Sequence, residues 1–122
     1  MEQNKIKVII KYASSYGCLC NYEVKEIENN LKSLQEIVKG YIETISIGFG
    51  NEKYILICNE EGKYMFNTFS VHFIRNNKIV DSIAGDCIIT KPDGKGHFIS
   101  LSESDIKMIS SIFDKSNEIE LQ

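Results

Sequence analysis

The chain has 122 residues, 43% of them apolar and 25% charged, with one Pro and eight Gly; this is the profile of one globular domain over 1–122 and excludes collagen-like, low-complexity and wholly disordered classes. Seventeen acidic against fourteen basic residues give a net charge of −3, and Arg75 is the only arginine. Without a basic stripe or guanidinium forks, the charge balance argues against nucleic acid as a partner.

No apolar run approaches the ~18 residues of a membrane helix. The start, Met1-Glu2-Gln3-Asn4-Lys5, has no signal-peptide hydrophobic region, so the expected location is the cytoplasm, away from membranes. Residues 5–12 are β-branched and roughly alternating and predict a strand. Residues 13–19 predict a loop, and 20–27 a returning hairpin partner. Leu31, Leu34, Ile37 and Val38 then fall on one helical face. A helix near 31–39 follows, with Asn30 as N-cap and Gly40 as the left-handed residue at its end. Residues 41–47 alternate, Gly48-Phe49-Gly50-Asn51 turns the chain, and 53–58 forms the next strand, closed by a turn at 59–63. Residues 64–75 are aromatic and ambiguous between helix and strand. Asn76-Asn77 reads as a hairpin turn, 78–90 as strand around Gly85, and Pro92-Asp93-Gly94 as a further turn. The last element opens on the capping-box-like Ser102-Glu103-Ser104-Asp105 and continues through Ile106, Ile109, Ile112 and Phe113, a helix near 103–114. Residues 116–122 are expected to fray. The class is α+β: an antiparallel twisted sheet of five or more strands, covered on one side by the two helices.

Chemistry-bearing residues are sparse. Cys58 and Cys87 sit in apolar strands and read as buried thiols. Cys18 and Cys20 form a Cys-x-Cys with no second ligand pair, so no metal is expected, and His72 and His97 do not complete one. Gly48-Phe49-Gly50 lacks the third glycine and following helix of a dinucleotide loop. Pro92-Asp93-Gly94-Lys95-Gly96-His97 has the groups to hold an anion but the composition of a solvated turn. Ser70, His72 and Asp86 make a triad only on paper. Glu60 and Glu61 are adjacent on a turn and read as solvated. No catalytic residue and no cofactor are assigned. Tyr12, Tyr16 and Tyr22 cluster around the 13–20 loop, where a base would find rings to stack on, although strands favour tyrosine for packing alone.

Leu34-Gln35-Glu36-Ile37-Val38-Lys39-Gly40-Tyr41-Ile42-Glu43 resembles the L-Q-x-x-V-G-G-Y-I-E signature of small bacterial, phage and mobile-element proteins catalogued as domain of unknown function 3846. Cys58-Asn59-Glu60-Glu61-Gly62-Lys63, Asn67, Ile83-Ala84-Gly85 and Phe98-Ile99-Ser100-Leu101-Ser102 follow in the family's order, so the resemblance covers roughly 26–113. Lys39 replaces the first glycine of the family's pair, the Arg that tends to follow Asn67 is missing, and residues 1–25 exceed the family's usual leading strand. The resemblance implies a small non-enzymatic binding protein of a phage or mobile element, antagonising host defence by sequestering a nucleotide signal or binding a host protein. The alternatives are a small nucleotide hydrolase or nuclease and, against the charge balance, a DNA-binding regulator. Tyr41, Glu43, Asn59, Glu61 and Asn67, with Arg75, are the candidate ligand-binding residues. Lys5, Lys7 and Lys11 suit an edge strand. The uncharged strand 53–58 lies either centrally or at an edge covered by another copy, from which a homo-oligomer with a site near its interface is expected.

Overall fold

The computed structural model describes residues 4–14 and 21–121; Tyr16, Cys18 and Cys20 lie outside the described residues. Strand β1 (Lys5–Lys11) pairs antiparallel with β2 (Tyr22–Glu28) on one side and with β7 (Cys87–Pro92) on the other. Next to β7 comes β4 (Glu52–Asn59), and β3 (Ile42–Phe49) closes the sheet in the order β2-β1-β7-β4-β3. The short β8 (Phe98–Ile99) adds to the end of β7.

The three inner strands carry apolar residues at both parities: Val8-Ile9-Ile10, Leu56-Ile57 and Ile88-Ile89 are all buried. Neighbouring side chains of a strand point to opposite faces, so both faces need a cover. One face, with Ile6, Val8, Ile10, Ile57 and Ile88, is covered by Leu34 and Val38 of helix α1 (Leu31–Val38). The other, with Ile9, Leu56, Cys58, Cys87 and Ile89, meets Ile109 and Phe113 of helix α3 (Glu103–Phe113). The helices therefore lie on opposite faces, not on one side as the sequence suggested.

A second, small sheet shares the α3 side. Strand β5 (Phe69–Arg75) pairs antiparallel with β6 (Lys78–Ala84) through Asn76 and Asn77, both at positive φ, 53° and 64°, as a tight hairpin turn wants. On its other side β5 takes β9 (Glu118–Glu120) in parallel. The expected frayed tail is thus a strand through residue 120, held by Ile119, which is 1% exposed in the core.

Two further expectations change. Strand β1 is internal, so Lys11 is no edge charge: it is fully buried, its ammonium 5.6 Å from the centre of the Phe113 ring. Strand β4 is central, which removes the need for another copy to cover it.

Helix α1 starts as expected, with the Asn30 side chain accepting from the Ser33 N–H at 2.8 Å. Its left-handed terminal residue, however, is Lys39 at φ 66°, and not Gly40. Gly40 is needed for closeness: a Cβ there would sit 2.6 Å from Asn59 Nδ2. At α3, Ser102 and Asp105 form a reciprocal capping box. Asp105 also accepts from the Tyr54 hydroxyl at 2.5 Å and lies 3.3 Å from Lys91 Nζ, fastening the helix start to β4 and β7.

Candidate functional site

Three of the motif segments, far apart in sequence, meet at one end of β4: the end of α1, the turn at 59–63 and Ala84-Gly85. Asn59 is 5% exposed. Its Nδ2 donates to the Val38 carbonyl at 3.0 Å, and its Oδ1 accepts from the Glu61 N–H at 2.7 Å. One side chain thereby binds the end of α1 to the turn after β4. That turn leads into α2 (Gly62–Met65), a single helical turn pressed on β6. A Cβ at Gly62 would lie 2.7 Å from the Ala84 carbonyl oxygen. Gly85 has φ +79°, and a Cβ there would meet the Phe66 ring at 2.5 Å. The glycines of the motifs are thus places where backbone or ring comes too close for a side chain.

The junction leaves a groove of about 250 Å³ between β3, the end of β4, α2 and β6. Glu43, Cys58, Glu60, Lys63, Tyr64 and Asp81 give it its chemistry. Lys63 Nζ lies 2.6 Å from Asp81 Oδ1, and the Ser82 N–H donates to the same oxygen at 2.8 Å. The hydrogen bond to Asp81 pushes the Lys63 ammonium up, and the same bond holds the Asp81 carboxyl below the usual range. Both side chains are more than half exposed, so the pair contributes little to stability and remains open to exchange with a partner's charges. Cys58 donates weakly to Glu43 Oε1 at 3.9 Å. Burial first, then Glu43, pushes its thiol up to about 11, so it is protonated at neutral pH and a poor nucleophile.

Lys63, Asp81 and Ser82 also border a second hollow of about 420 Å³ on the outer side of β6, with Phe69, Ile79 and Val80. These three are 40%, 57% and 50% exposed, and Tyr64, on the lining of the first groove, is 92% exposed. The Lys63–Asp81 pair is a polar ridge between a groove rich in carboxylates and an apolar face.

Of the residues expected at a site, Glu43 and Asn59 line the groove, with the Asn59 amide already used inside the fold. Tyr41 is 70% exposed just before β3, and its carbonyl accepts from the Glu60 N–H at 2.8 Å. Glu61 is exposed on the adjacent turn, and Asn67 is exposed between α2 and β5. Arg75 stands at the far end of the β5–β6 hairpin opposite Lys78, outside the groove lining. Sequence reasoning missed Lys63, Tyr64, Asp81 and Ser82 as a group. The available signal was a lone carboxylate within the apolar Ile79-Val80-Asp81 run.

The other constellations do not assemble. Ser70 Oγ donates to the Ile83 carbonyl and to Cys87 Sγ, each at 3.5 Å, while His72 Nδ1 lies 2.6 Å from Ser82 Oγ and Asp86 accepts from the Ala13 N–H at 2.8 Å. Asp93 is consumed by its own turn, taking the N–H groups of Lys95 at 2.6 Å and His97 at 3.0 Å. The Tyr12 and Tyr22 hydroxyls donate to Glu23 at 2.7 Å and Asp114 at 2.6 Å. Among the described residues, no group of three or more His, Cys, Asp or Glu side chains is arranged to hold a metal ion, and no helix is long and apolar enough to cross a membrane.

The sequence profile of the family described as domain of unknown function 3846 matches residues 20–114, and the chain belongs to that family. No curated protein and no solved structure matches it.

Proposed function

We propose that the chain is a non-enzymatic binding protein of a phage or mobile element, acting in the bacterial cytoplasm on a host defence protein through the groove and the adjoining face of β6. The observation that carries this reading is the concentration of exposed large apolar side chains, Tyr64, Phe69, Ile79 and Val80, around the Lys63–Asp81 ridge. Such patches on a small domain mark surfaces that exclude water against a partner. The phage setting rests on the family resemblance alone.

Charge favours a protein over a nucleotide signal as the ligand. Glu43, Glu60 and Asp81 face the groove against the single cation Lys63, which Asp81 already holds. Phosphates entering there meet an excess of negative charge, whereas a lysine or arginine of a partner meets a complementary one. The raised Cys58 thiol supports a binding reading over a hydrolytic one.

Tagged protein recovered from the bacterial host is the test, compared with a Tyr64→Ala/Val80→Asp variant. Stoichiometric co-purification of one host protein, lost in the variant, is the expected result. Intact nucleotide released only on denaturation would replace the proposal by sequestration. A light-scattering mass of twice the chain with no host protein would mean that the surface pairs two copies of this chain.

A further inference from the structure

The β4–β7 register runs Ile55 opposite Thr90, Leu56 opposite Ile89 and Ile57 opposite Ile88. The paired rungs end there; continued by one residue, the same register would set Cys58 opposite Cys87. Both belong to the same core face as Leu56 and Ile89, as directly opposed residues must. Both are free thiols. Opposed Cα atoms of an antiparallel pair are ~4.5–5.5 Å apart, inside the ~4.4–6.8 Å that a disulfide spans. Cβ atoms of directly opposed residues lie ~4.5–5.5 Å apart, so a pair in that register would need to close by only about 1 Å.

Access differs between the two. Cys87 is fully buried, with the Ser70 hydroxyl donating to its sulfur at 3.5 Å. Cys58 is 4% exposed and lines the 250 Å³ groove, which has room for a molecule the size of a peroxide.

We infer that Cys58 and Cys87 are an oxidation site, converted by peroxides into an intrachain disulfide between β4 and β7. The Cys58 thiolate attacks one peroxide oxygen, the O–O bond breaks, and water (or the alcohol of an organic peroxide) leaves, giving a sulfenic acid on Cys58. The Cys87 sulfur then attacks that sulfenic sulfur, the S–O bond breaks, and a second water leaves as the S–S bond forms. Two thiols are oxidised by two electrons in total and one peroxide is reduced. Since burial keeps the Cys58 thiol high, at about 11, the first step is slow at neutral pH. Its rate climbs ~10-fold per pH unit through the mildly alkaline range.

The disulfide takes the Cys58 sulfur toward Cys87 and ends its hydrogen bond to Glu43, so oxidation writes itself into the groove wall. Hydrogen peroxide applied to the folded, full-length chain, followed by quenching, trypsin and mass spectrometry, tests this. The expected product links the peptides 54–63 and 79–95, is two hydrogens lighter than their sum, runs as a monomer on a non-reducing gel and reverts with a thiol reductant. In Cys87→Ala the link vanishes and Cys58 proceeds to the sulfinic acid. A wild-type chain in which Cys58 links to the 12–25 peptide, or is oxidised or left free without any link to Cys87, overturns the inference.

Discussion

Replacing Asn59 by Ala removes two hydrogen bonds to backbone groups, and a weak one to Met65 Sδ at 3.7 Å, from a position that is 5% exposed. The Val38 carbonyl loses its Asn59 donor at 3.0 Å and, on a residue only 1% exposed, has no water to replace it; that orphaned acceptor costs about 2 kcal/mol. The Glu61 N–H loses its acceptor at 2.7 Å on an exposed turn, where water offsets part of the loss, so this bond contributes about 1 kcal/mol. The total of about 3 kcal/mol, for a chain of this length with an unfolding entropy of ~2.1 cal/mol/K per residue, lowers the melting temperature by roughly 12 °C. Differential scanning calorimetry at neutral pH measures it directly. Asn59→Asp separates the two bonds: it keeps an acceptor for Glu61 but turns a carboxylate toward the C-terminal carbonyls of α1, and it loses about 2 kcal/mol or more. If Asn59→Ala melts within about 3 °C of the parent, the motif asparagine does not tie α1 to the turn, and the reading of the motif as a structural clasp is wrong.

Lys39→Gly returns the family's residue to the left-handed position at φ 66° and raises stability by about 0.5–1 kcal/mol, the relief of Cβ strain less the entropy that glycine gains when unfolded; urea titration reads it. Gly85→Ala combines φ +79° with a Cβ only 2.5 Å from the Phe66 ring and costs about 2 kcal/mol or more, visible as a lower urea midpoint at unchanged slope. Burial pushes the Asp105 carboxyl up, but the hydrogen bonds from Tyr54, Ser102 and Lys91 outweigh it and bring it to about 2. A folded value depressed below the unfolded one stabilises fully above pH ~4, so about 2 kcal/mol is lost as the pH falls through about 2; urea midpoints across that range in wild type and Asp105→Asn, which lacks this part of the slope, check the sign.

How much was legible follows from how local each feature is. The α1 face, the capping box of α3 and the Asn76-Asn77 turn are written within a few neighbouring residues, and they stand where the spacing put them. Two-sided burial is a property of sheet order. Val8-Ile9-Ile10 does not announce that β1 lies between β2 and β7, nor that Lys11 will be drawn in beside Phe113. Glu118-Ile119-Glu120 reads as a polar tail because its one apolar side chain finds β5 only after the chain has folded back in parallel. At the site, Glu43 and Asn59 were visible through motif order, whereas the Lys63–Asp81 contact depends on β6 returning along α2, eighteen residues later. Arg75 drew notice as the only arginine, and the hairpin register carries it to the opposite end.

The proposed function makes the groove and the β6 face a protein-binding surface. A photo-crosslinking residue placed singly at Tyr64, at Val80, and at Lys25 on the exposed β2 edge, each irradiated in the bacterial host, tests it most directly. One and the same covalent host-protein adduct is expected from positions 64 and 80 and none from position 25. Adducts from position 25 alone, or from none of the three while the protein is folded and active in the cell, would contradict it.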